Sequence, residues 1–206
     1  MMKLDIGCGG SKKEGYLGVD QLFLPGVDII HDLNKFPYPF SDGLVDEIWM
    51  DQVLEHLDQP VKVIEELYRI CRDGALITIG VPYFRSFYSV IDPTHKNFFS
   101  TYWFNYFDPA HSFSKRYQYS KAKFKVKKIE FDREYLKKGL LHKFIVGLAE
   151  KHPNFYETRI SHFYPFISNV CYLPCHVKLS DQWGQLLRAD QVGQHCCAEL
   201  FCFFRY

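Results

Sequence analysis

The chain has 206 residues, of which 47% are hydrophobic, and its formal net charge is +1. This length and composition suffice for one hydrophobic core, so a second domain is not needed for stability. The sequence lacks a basic surface interleaved with aromatic residues, which argues against nucleic acid as a partner. It also lacks an apolar run that could span a bilayer, and "MMKLDIG" leads directly into a predicted strand. We therefore expect a cytoplasmic protein with no membrane partner.

A glycine-rich turn follows the first predicted strand, in the stretch "KLDIGCGGSKKEGYLGVD". Leu4 and Ile6 are strand-forming residues, and Gly7, Gly9 and Gly10 come directly after them. Glycine permits a positive φ and a close approach of a ligand to the backbone. The stretch therefore indicates a nucleotide-type binding loop.

The ligand of this loop is narrowed by what the pattern lacks. A dinucleotide fingerprint requires glycine at position 12, which is Lys12, and the sequence of a P-loop is absent. Asp5 precedes the loop and would repel a pyrophosphate, whereas Asp20, after the second strand, suits the two hydroxyls of a ribose. A nucleoside without phosphates is favoured. The alternative for Asp20 is a carboxylate that only stabilises a turn.

Short apolar runs bounded by turn residues predict further buried strands. These runs are "VDII" at 27–30, "DEIWM" at 46–50 and "ALITIGV" at 75–81. A helix is expected between the last two, capped by Asp58, with Pro60 in its first turn and Gly74 at its end. Only six residues separate Gly9 from Tyr16, so the first crossover is too short for a full helix.

The charge is unevenly distributed along the chain. Residues 1–60 hold eleven Asp and Glu against four Lys and Arg, and residues 115–151 hold four against twelve. The acidic half suits a positively charged ligand, and the basic half suits an anionic substrate. In "KAKFKVKK", however, the lysines alternate with apolar residues, which is typical of a half-buried edge strand with lysines in water. The apolar parity changes between Val126 and Ile129, which predicts a β-bulge.

Several motifs in chain order resemble those of class I S-adenosylmethionine-dependent methyltransferases. They are "LDIGCG", "GVD", "HDLNKFPYPFSDGLVDEIWMDQVLEHL", "GALITIGVPYF" and "DPTHKNFFS". The resemblance covers roughly the first half to three-fifths of the chain. It implies an α/β fold, a Rossmann-like three-layer sandwich with a mostly parallel seven-stranded-type sheet, here with a shortened first crossover. It also implies S-adenosyl-L-methionine as the cofactor.

The same resemblance assigns the cofactor-binding residues. It implies that Asp5 and the loop of Gly7, Cys8 and Gly9 lie near the methionine moiety, Asp20 at the ribose, Asp32 and Leu33 at the adenine, and Asp51 and Gln52 beside the sulfonium. All follow predicted parallel strands, whose carboxyl ends bind ligands in open α/β sheets. For Asp32 the alternative is a plain Asx turn in "HDLN".

Methyl transfer from a sulfonium needs alignment of the reacting atoms, and it needs a base when the acceptor carries a proton. His95 in "DPTHKN" is the predicted base, with Asp92 as its orienting partner; the alternative is that His95 only stabilises the fold. His56 in "VLEHL" is the weaker candidate, because a histidine there can simply pack at a helix start. The segment from 84 to 107 is rich in aromatic residues, which predicts either an acceptor pocket or a packed cap.

Residues 171–206 differ from the rest of the chain. They hold five of the seven cysteines, and only Cys8 and Cys71 precede them. We expect a methyltransferase domain over 1–170, followed by an atypical Cys-rich tail over 171–206. The tail is interpreted as the last strand of the sheet, as a zinc site built from its Cys and His residues, or as an extension that is not native to this fold. No metal is expected.

The sequence as a whole predicts a methyltransferase acting on oxygen or nitrogen of a small-molecule or sugar-containing acceptor. An NAD-dependent oxidoreductase is the rival enzyme class, disfavoured by Lys12 and the short crossover. A non-catalytic S-adenosylmethionine-binding protein is the other alternative. The acceptor and the oligomeric state are not specified by the sequence.

Overall fold

The computed structural model describes residues 1–131 and 140–161, and the backbone of 171–177. Eight strands lie in these residues: β1 (Lys3–Ile6), β2 (Leu17–Asp20), β3 (Ile29–Ile30), β4 (Val45–Asp51), β5 (Cys71–Val81), β6 (Phe124–Val126), β7 (Glu130–Phe131) and β8 (Cys171–Val177). The helices are α1 (Pro60–Ile70), α2 (Tyr88–Ile91), α3 (Ser112–Tyr117), α4 (Leu140–Lys151) and α5 (Pro153–Phe155), the last continuing into a π-helical turn at Tyr156–Ile160. Single 3₁₀ turns lie at Leu54–His56 and Trp103–Tyr106. Among the described residues, no helix has the length and apolar character needed to cross a membrane.

One sheet joins all of these strands in the order β3-β2-β1-β4-β5-β8-β6, with β7 also paired to β8. Strands β1 to β5 run parallel to one another, and β8 is antiparallel to its neighbours. Parallel strands joined by a helix, as β4 and β5 are by α1, define an α/β sheet with flanking helices. The predicted Rossmann-like, mostly parallel fold is confirmed.

The lysine-rich strand lies at the edge of the sheet, as its alternating pattern predicts. Val126 pairs with Cys175 and Glu130 with Tyr172, so four steps along one strand match three along β8. That extra residue is the predicted β-bulge. Lys125 is exposed beside buried Phe124, which confirms the solvated-edge interpretation.

The first crossover contains only turns and extended residues, as its length predicts. Side chains of the crossover residues Lys13 and Tyr16 contact β4 directly. The Tyr16 hydroxyl donates to Glu47, Lys3 Nζ lies 2.6 Å from a Glu47 oxygen, and Lys13 Nζ lies 3.4 Å from the ring centre of Trp49. These polar contacts and cation–π contacts replace apolar helix packing between the crossover and β4.

The prediction that Asp58 caps α1 is wrong. Gln59 occupies the N-cap position without a capping side-chain bond, and Pro60 begins the helix as predicted. The Asp58 carboxylate instead accepts a hydrogen bond from Lys96 Nζ at 2.6 Å. Asp58 therefore forms an ion pair with Lys96, which is distant in sequence, and does not cap the helix.

The predicted helix end at Gly74 is also wrong, because α1 ends at Ile70 and Cys71 already belongs to β5. Gly74 has a φ of +78°, and the pairing of β4 with β5 shifts register in this region. The glycine therefore permits an irregular start of the strand. The buried face of α1, with Ile64 and Leu67 among its residues, packs on the sheet.

The aromatic residues between 83 and 107 mostly pack in the interior. Phe99, Phe104 and Phe107 belong to the main core, and Tyr83 belongs to a second core with Phe131 and Tyr156. Phe87, Tyr88 and Phe98 are exposed. Packing thus accounts for most of the aromatic density, and a few exposed rings remain for a ligand.

Candidate active site

A cavity of about 470 Å³ opens where the parallel strands β1, β2 and β4 end. This volume lies in the range of small-ligand pockets. We call one side the cofactor wall, formed by Gly7 and residues 20–22 and 32–34. The opposite side, the histidine wall, is formed by Gln52, Val53, His56, Leu57 and Lys96.

Gly7 is the point at which the two walls touch. Its φ is +75°, and its N–H donates to the Val19 carbonyl at 2.7 Å. A Cβ at this position would lie 2.3 Å from Val53 Cγ2. Glycine is therefore required both by the left-handed backbone and by the space beside Val53.

Asp20 lines the cavity and also braces the glycine loop. Its carboxylate accepts hydrogen bonds from the N–H of Gly9 at 2.9 Å and of Leu22 at 3.0 Å. The turn role considered for this residue therefore exists, and it coexists with a position in the cavity. A carboxylate has about four acceptor sites, so two backbone bonds leave capacity for a ligand.

Asp32 and Leu33 line the same wall. Asp32 Oδ1 accepts from the Asn34 N–H at 3.0 Å, which is the Asx turn weighed from the sequence. The Asn34 side chain in turn accepts from the Asp58 N–H at 2.8 Å. Buried Leu33 supplies an apolar surface beside these polar groups. The wall thus offers carboxylates next to an apolar face, a combination suited to an adenosine.

The remaining predicted cofactor residues are divided between the two walls and their surroundings. Gln52 lines the cavity with a φ of +55°, a strained conformation of the kind found at functional sites. Asp5, Cys8, Gly9 and Asp51 are not among the lining residues. Asp5 is buried and accepts from the Lys13 N–H at 2.6 Å, and burial raises the pKa of its carboxyl.

Hydrogen bonds fasten the segment 92–97 to the 3₁₀ turn that follows β4. The Glu55 carbonyl accepts from the N–H groups of Lys96 at 2.8 Å and Asn97 at 3.1 Å. The Asn97 side-chain amide donates to the Leu57 carbonyl at 2.7 Å. These bonds bring two motifs that are about forty residues apart into one wall.

His56 and His95 meet in this wall, with ring centres 4.7 Å apart. Asp92 Oδ1 accepts from the Thr94 hydroxyl at 2.6 Å, and Thr94 Oγ1 lies 2.9 Å from His56 Nδ1. His95 Nδ1 lies 3.1 Å from the Ser89 carbonyl oxygen. Asp92 therefore acts through Thr94 on His56, whereas the sequence pairs it with His95. The physical reason is local, because the Thr94 side chain and N–H turn back onto the Asp92 carboxylate.

Burial sets the protonation of this wall. Burial, together with the neighbouring His95, lowers the pKa of His56, so its imidazole is neutral at pH 7. Glu55 is fully buried, and within the described residues neither of its carboxylate oxygens has a hydrogen-bond partner. Burial, with a smaller effect of the charges of Asp51 and Asp92, raises the pKa of this carboxyl to about 7.

Sequence reasoning did not single out several residues of the walls: Asn34, Val53, Leu57, Lys96 and Glu55 behind the histidines. Their position in the sequence could have identified most of them, because "VLEHL" follows β4 and "HDLN" follows β3. Residues at the carboxyl ends of parallel strands are the ones that reach a ligand in such a sheet.

The sequence matches the family profile described as "Methyltransferase domain" over residues 20–79. Among solved structures, the YcgJ protein of Bacillus subtilis is 13% identical, with a TM-score of 0.51, covering 87% of this chain and 92% of that one. The [4+2]-cyclase SpnF is 15% identical, with a TM-score of 0.50, covering 87% and 75%. A SAM-dependent methyltransferase from Archaeoglobus fulgidus is 19% identical, with a TM-score of 0.44, covering 86% of both chains. No curated protein matches the sequence.

The profile runs from Asp20, the last residue of β2, into β5, so it includes the histidine-bearing turn, and the structural neighbours share the fold. Residues 20–79 therefore resemble a methyltransferase domain, and the fold of the chain is the one found in its structural neighbours. The glycine loop at residues 7–10 precedes the matched range, so its role remains a prediction.

Proposed function

We propose that the cavity binds S-adenosylmethionine and that the enzyme methylates a hydroxyl or amine of a small-molecule or sugar-containing acceptor. The observation that carries the proposal is the pairing of two different walls across one cavity. Asp20 and Asp32 lie on one side, and His56 lies on the other with His95 beside it. The first set suits a nucleoside, and the second suits proton transfer.

The cofactor wall is assigned to the nucleoside. Asp20 accepts the ribose hydroxyls, and Asp32 with Leu33 contacts the adenine. Asp5, Asp51 and the loop of residues 7–9 are assigned to the methionine end of the cofactor. The two carboxylates contribute negative charge there, and the loop contributes backbone groups. The acidic character of this region favours a cofactor that carries a positive sulfonium.

The histidine wall is assigned to the acceptor. Attack of the acceptor oxygen or nitrogen on the methyl group forms the new bond while the sulfur leaves as a neutral thioether. The proton of the acceptor passes to an imidazole of this wall, with His95 as the predicted base. Asp92 and Thr94 position His56 beside it.

The acceptor side has exposed apolar residues next to these histidines. In the segment 87–91, Phe87, Tyr88, Val90 and Ile91 are exposed, and the Ser89 carbonyl contacts His95. Exposed apolar groups in a cluster indicate a binding surface. An acceptor with an apolar or ring-shaped portion fits this surface.

Cofactor binding tests the first half of the proposal. Calorimetry is expected to show that S-adenosylhomocysteine binds and that an excess of NAD does not displace it. Asp20→Ala should weaken this binding at least about ten-fold, because it removes two hydrogen bonds to a charged acceptor, and Asp20→Asn should be milder. Unchanged affinity in the alanine variant, with an unchanged thermal midpoint, would remove Asp20 from the site.

Turnover tests the second half. Release of S-adenosylhomocysteine is measured against a panel of phenolic, sugar-containing and amine acceptors, with Asp20→Ala as the negative control. Methylation of at least one acceptor class is expected. Tight cofactor binding without turnover on any class would instead support a cofactor-binding protein without acceptor chemistry.

We also propose that the methyltransferase domain extends past residue 170, because β8 pairs with β5 over six residues of the sheet. A chain ending at 177 and one ending at 170 form a matched pair. The shorter one is expected to lose cooperative unfolding and cofactor binding, because its sheet lacks β8. Equal behaviour of the two would return the domain boundary to 170.

A further inference from the structure

We propose that Glu55, His56 and His95 form a binding site for a first-row divalent metal ion at the edge of the cofactor cavity. A carboxylate oxygen of Glu55 and one ring nitrogen from each histidine lie within 4.8 Å of one another. Two imidazoles and one carboxylate are a ligand set used by zinc and non-haem iron, and it leaves open positions on the ion.

The hydrogen bonds around the two rings orient them for this task. The Ser89 carbonyl can only accept, so His95 carries its proton on Nδ1 and presents Nε2 as a lone pair. The Thr94 hydroxyl donates to Asp92, so its oxygen accepts from His56 Nδ1, and His56 also presents Nε2. A carbonyl or a carboxylate-linked group behind each ligating imidazole is the usual outer shell of a metal site.

Glu55 supplies the second, independent observation. Its side chain is fully buried next to both rings, and within the described residues neither carboxylate oxygen has a hydrogen-bond partner. A buried polar group without a partner costs free energy unless a ligand satisfies it. Metal–ligand distances of about 2.0 to 2.2 Å require the three side chains to approach one another by roughly 1 Å.

The chemical consequence rests on the proposed function. With an ion in place, the two imidazoles act as ligands, and an acceptor oxygen occupies an open position. The ion lowers the pKa of that hydroxyl, the proton leaves to solvent, and the oxygen attacks the methyl group. The ion then takes over the activation that a free imidazole performs in the ion-free protein.

The test uses the full chain, freed of metal with a chelator and titrated with Co²⁺. One equivalent is expected to bind with a ligand-field spectrum and without a thiolate charge-transfer band, which separates this site from the seven cysteines. Glu55→Gln and His95→Gln should each weaken Co²⁺ binding at least about ten-fold. The matched control His152→Gln, at an exposed histidine, should bind as the unmodified chain does.

Pulsed EPR of the unmodified chain with bound Mn²⁺ or Cu²⁺ keeps the proposal testable if a variant fails to fold. Coupling to two imidazole nitrogens is expected. The proposal is overturned by no binding, by a thiolate spectrum, by coupling to fewer than two imidazoles, or by unchanged affinity in folded Glu55→Gln and His95→Gln. S-adenosylhomocysteine binding to the metal-free chain serves as the separate readout, so loss of the metal site and loss of the proposed function are distinguishable.

Discussion

The two walls of the cavity satisfy their polar groups in different ways. On the cofactor wall, Asp20 already accepts backbone N–H groups from the glycine loop and from its own turn, and Asp32 accepts one from its own turn. On the histidine wall, the imidazoles are held from behind at Nδ1, and buried Glu55 has no hydrogen-bond partner within the described residues. The carboxylates of the first wall are thus held in place before a ligand binds. The imidazoles and the Glu55 carboxyl of the second wall still have bonding positions that a ligand can fill.

This difference teaches which property each wall controls. A wall braced by backbone bonds changes little when the cofactor arrives, so its substitutions should alter affinity. A wall with a buried carboxyl that has no hydrogen-bond partner within the described residues, and with two adjacent imidazoles, suits proton or metal chemistry, so its substitutions should alter turnover.

The largest expected effect is the loss of turnover on substitution of His95, which should leave cofactor affinity unchanged and so distinguish the two walls. His95→Gln should lower kcat by about 10²- to 10⁴-fold and leave S-adenosylhomocysteine affinity and the thermal midpoint nearly unchanged, because it removes the predicted base. Steady-state kinetics and calorimetry check this, with His152→Gln as the control. An earlier melt with normal turnover per folded molecule would make His95 structural.

Gly7→Ala, in contrast, should lower the affinity for the cofactor. The added Cβ meets Val53 in a left-handed conformation, so the walls are pushed apart, and cofactor binding should weaken at least about 100-fold. Gly43→Ala is the matched control, because Gly43 has a φ of +66° but no atom within 4 Å of its Cβ. Equal cofactor affinity in the two variants would show that the contact of Gly7 with Val53 does not affect cofactor binding.

Substitution of Arg69 tests how the segment of residues 38–42 is held in place. Its guanidinium donates to the carbonyls of Tyr38 and Phe40 and pairs with Glu66 and Asp42 at 2.7 Å each. Arg69→Met should lower the free energy of unfolding by about 2 to 4 kcal/mol at pH 7, because it removes the ion pair with the partly buried Glu66 carboxylate and the bonds to the Tyr38 and Phe40 carbonyls.

The pH dependence of that loss has a defined sign. Burial disfavours the charged form of Glu66, but hydrogen bonds from Arg69 and the Tyr38 N–H outweigh it and hold the pKa of the carboxyl below its usual value. The stabilisation is therefore present above the unfolded pKa of about 4.3 and is lost as the pH falls through the folded pKa. Denaturant melts should show the variant converging on the unmodified chain toward pH 3. A pH-independent difference would assign the effect to the carbonyl bonds alone.

The smallest expected effect concerns Thr94, which links Asp92 to His56. Thr94→Val should lower kcat only a few-fold and shift the pH–rate profile, because it frees the His56 ring without removing it. Thr94→Ser retains the hydroxyl and should restore both. An unchanged pH profile in Thr94→Val would limit the role of Thr94 to the turn of its own segment.

Local sequence determined the parallel strands, the short first crossover, the edge strand and its bulge, because each depends on residues close together in the chain. Periodicity and glycine positions report backbone conformation directly. The acidic ends of β2 and β3 were also identifiable, since strand ends define the ligand edge of a parallel sheet. The end of α1 was not, because Gly74 permits a helix end and a strand irregularity equally well.

Only the tertiary structure decided the composition of the histidine wall. Asp58 pairs with Lys96, and the backbone carbonyl of Glu55 accepts from the N–H groups of residues 96 and 97, so a segment distant in sequence is fixed beside the turn after β4. No local pattern encodes that Asp92 acts on His56 through Thr94, or that Glu55 lies buried beside both rings. These facts depend on hydrogen bonds and burial between residues about forty positions apart, which arise only when the chain packs.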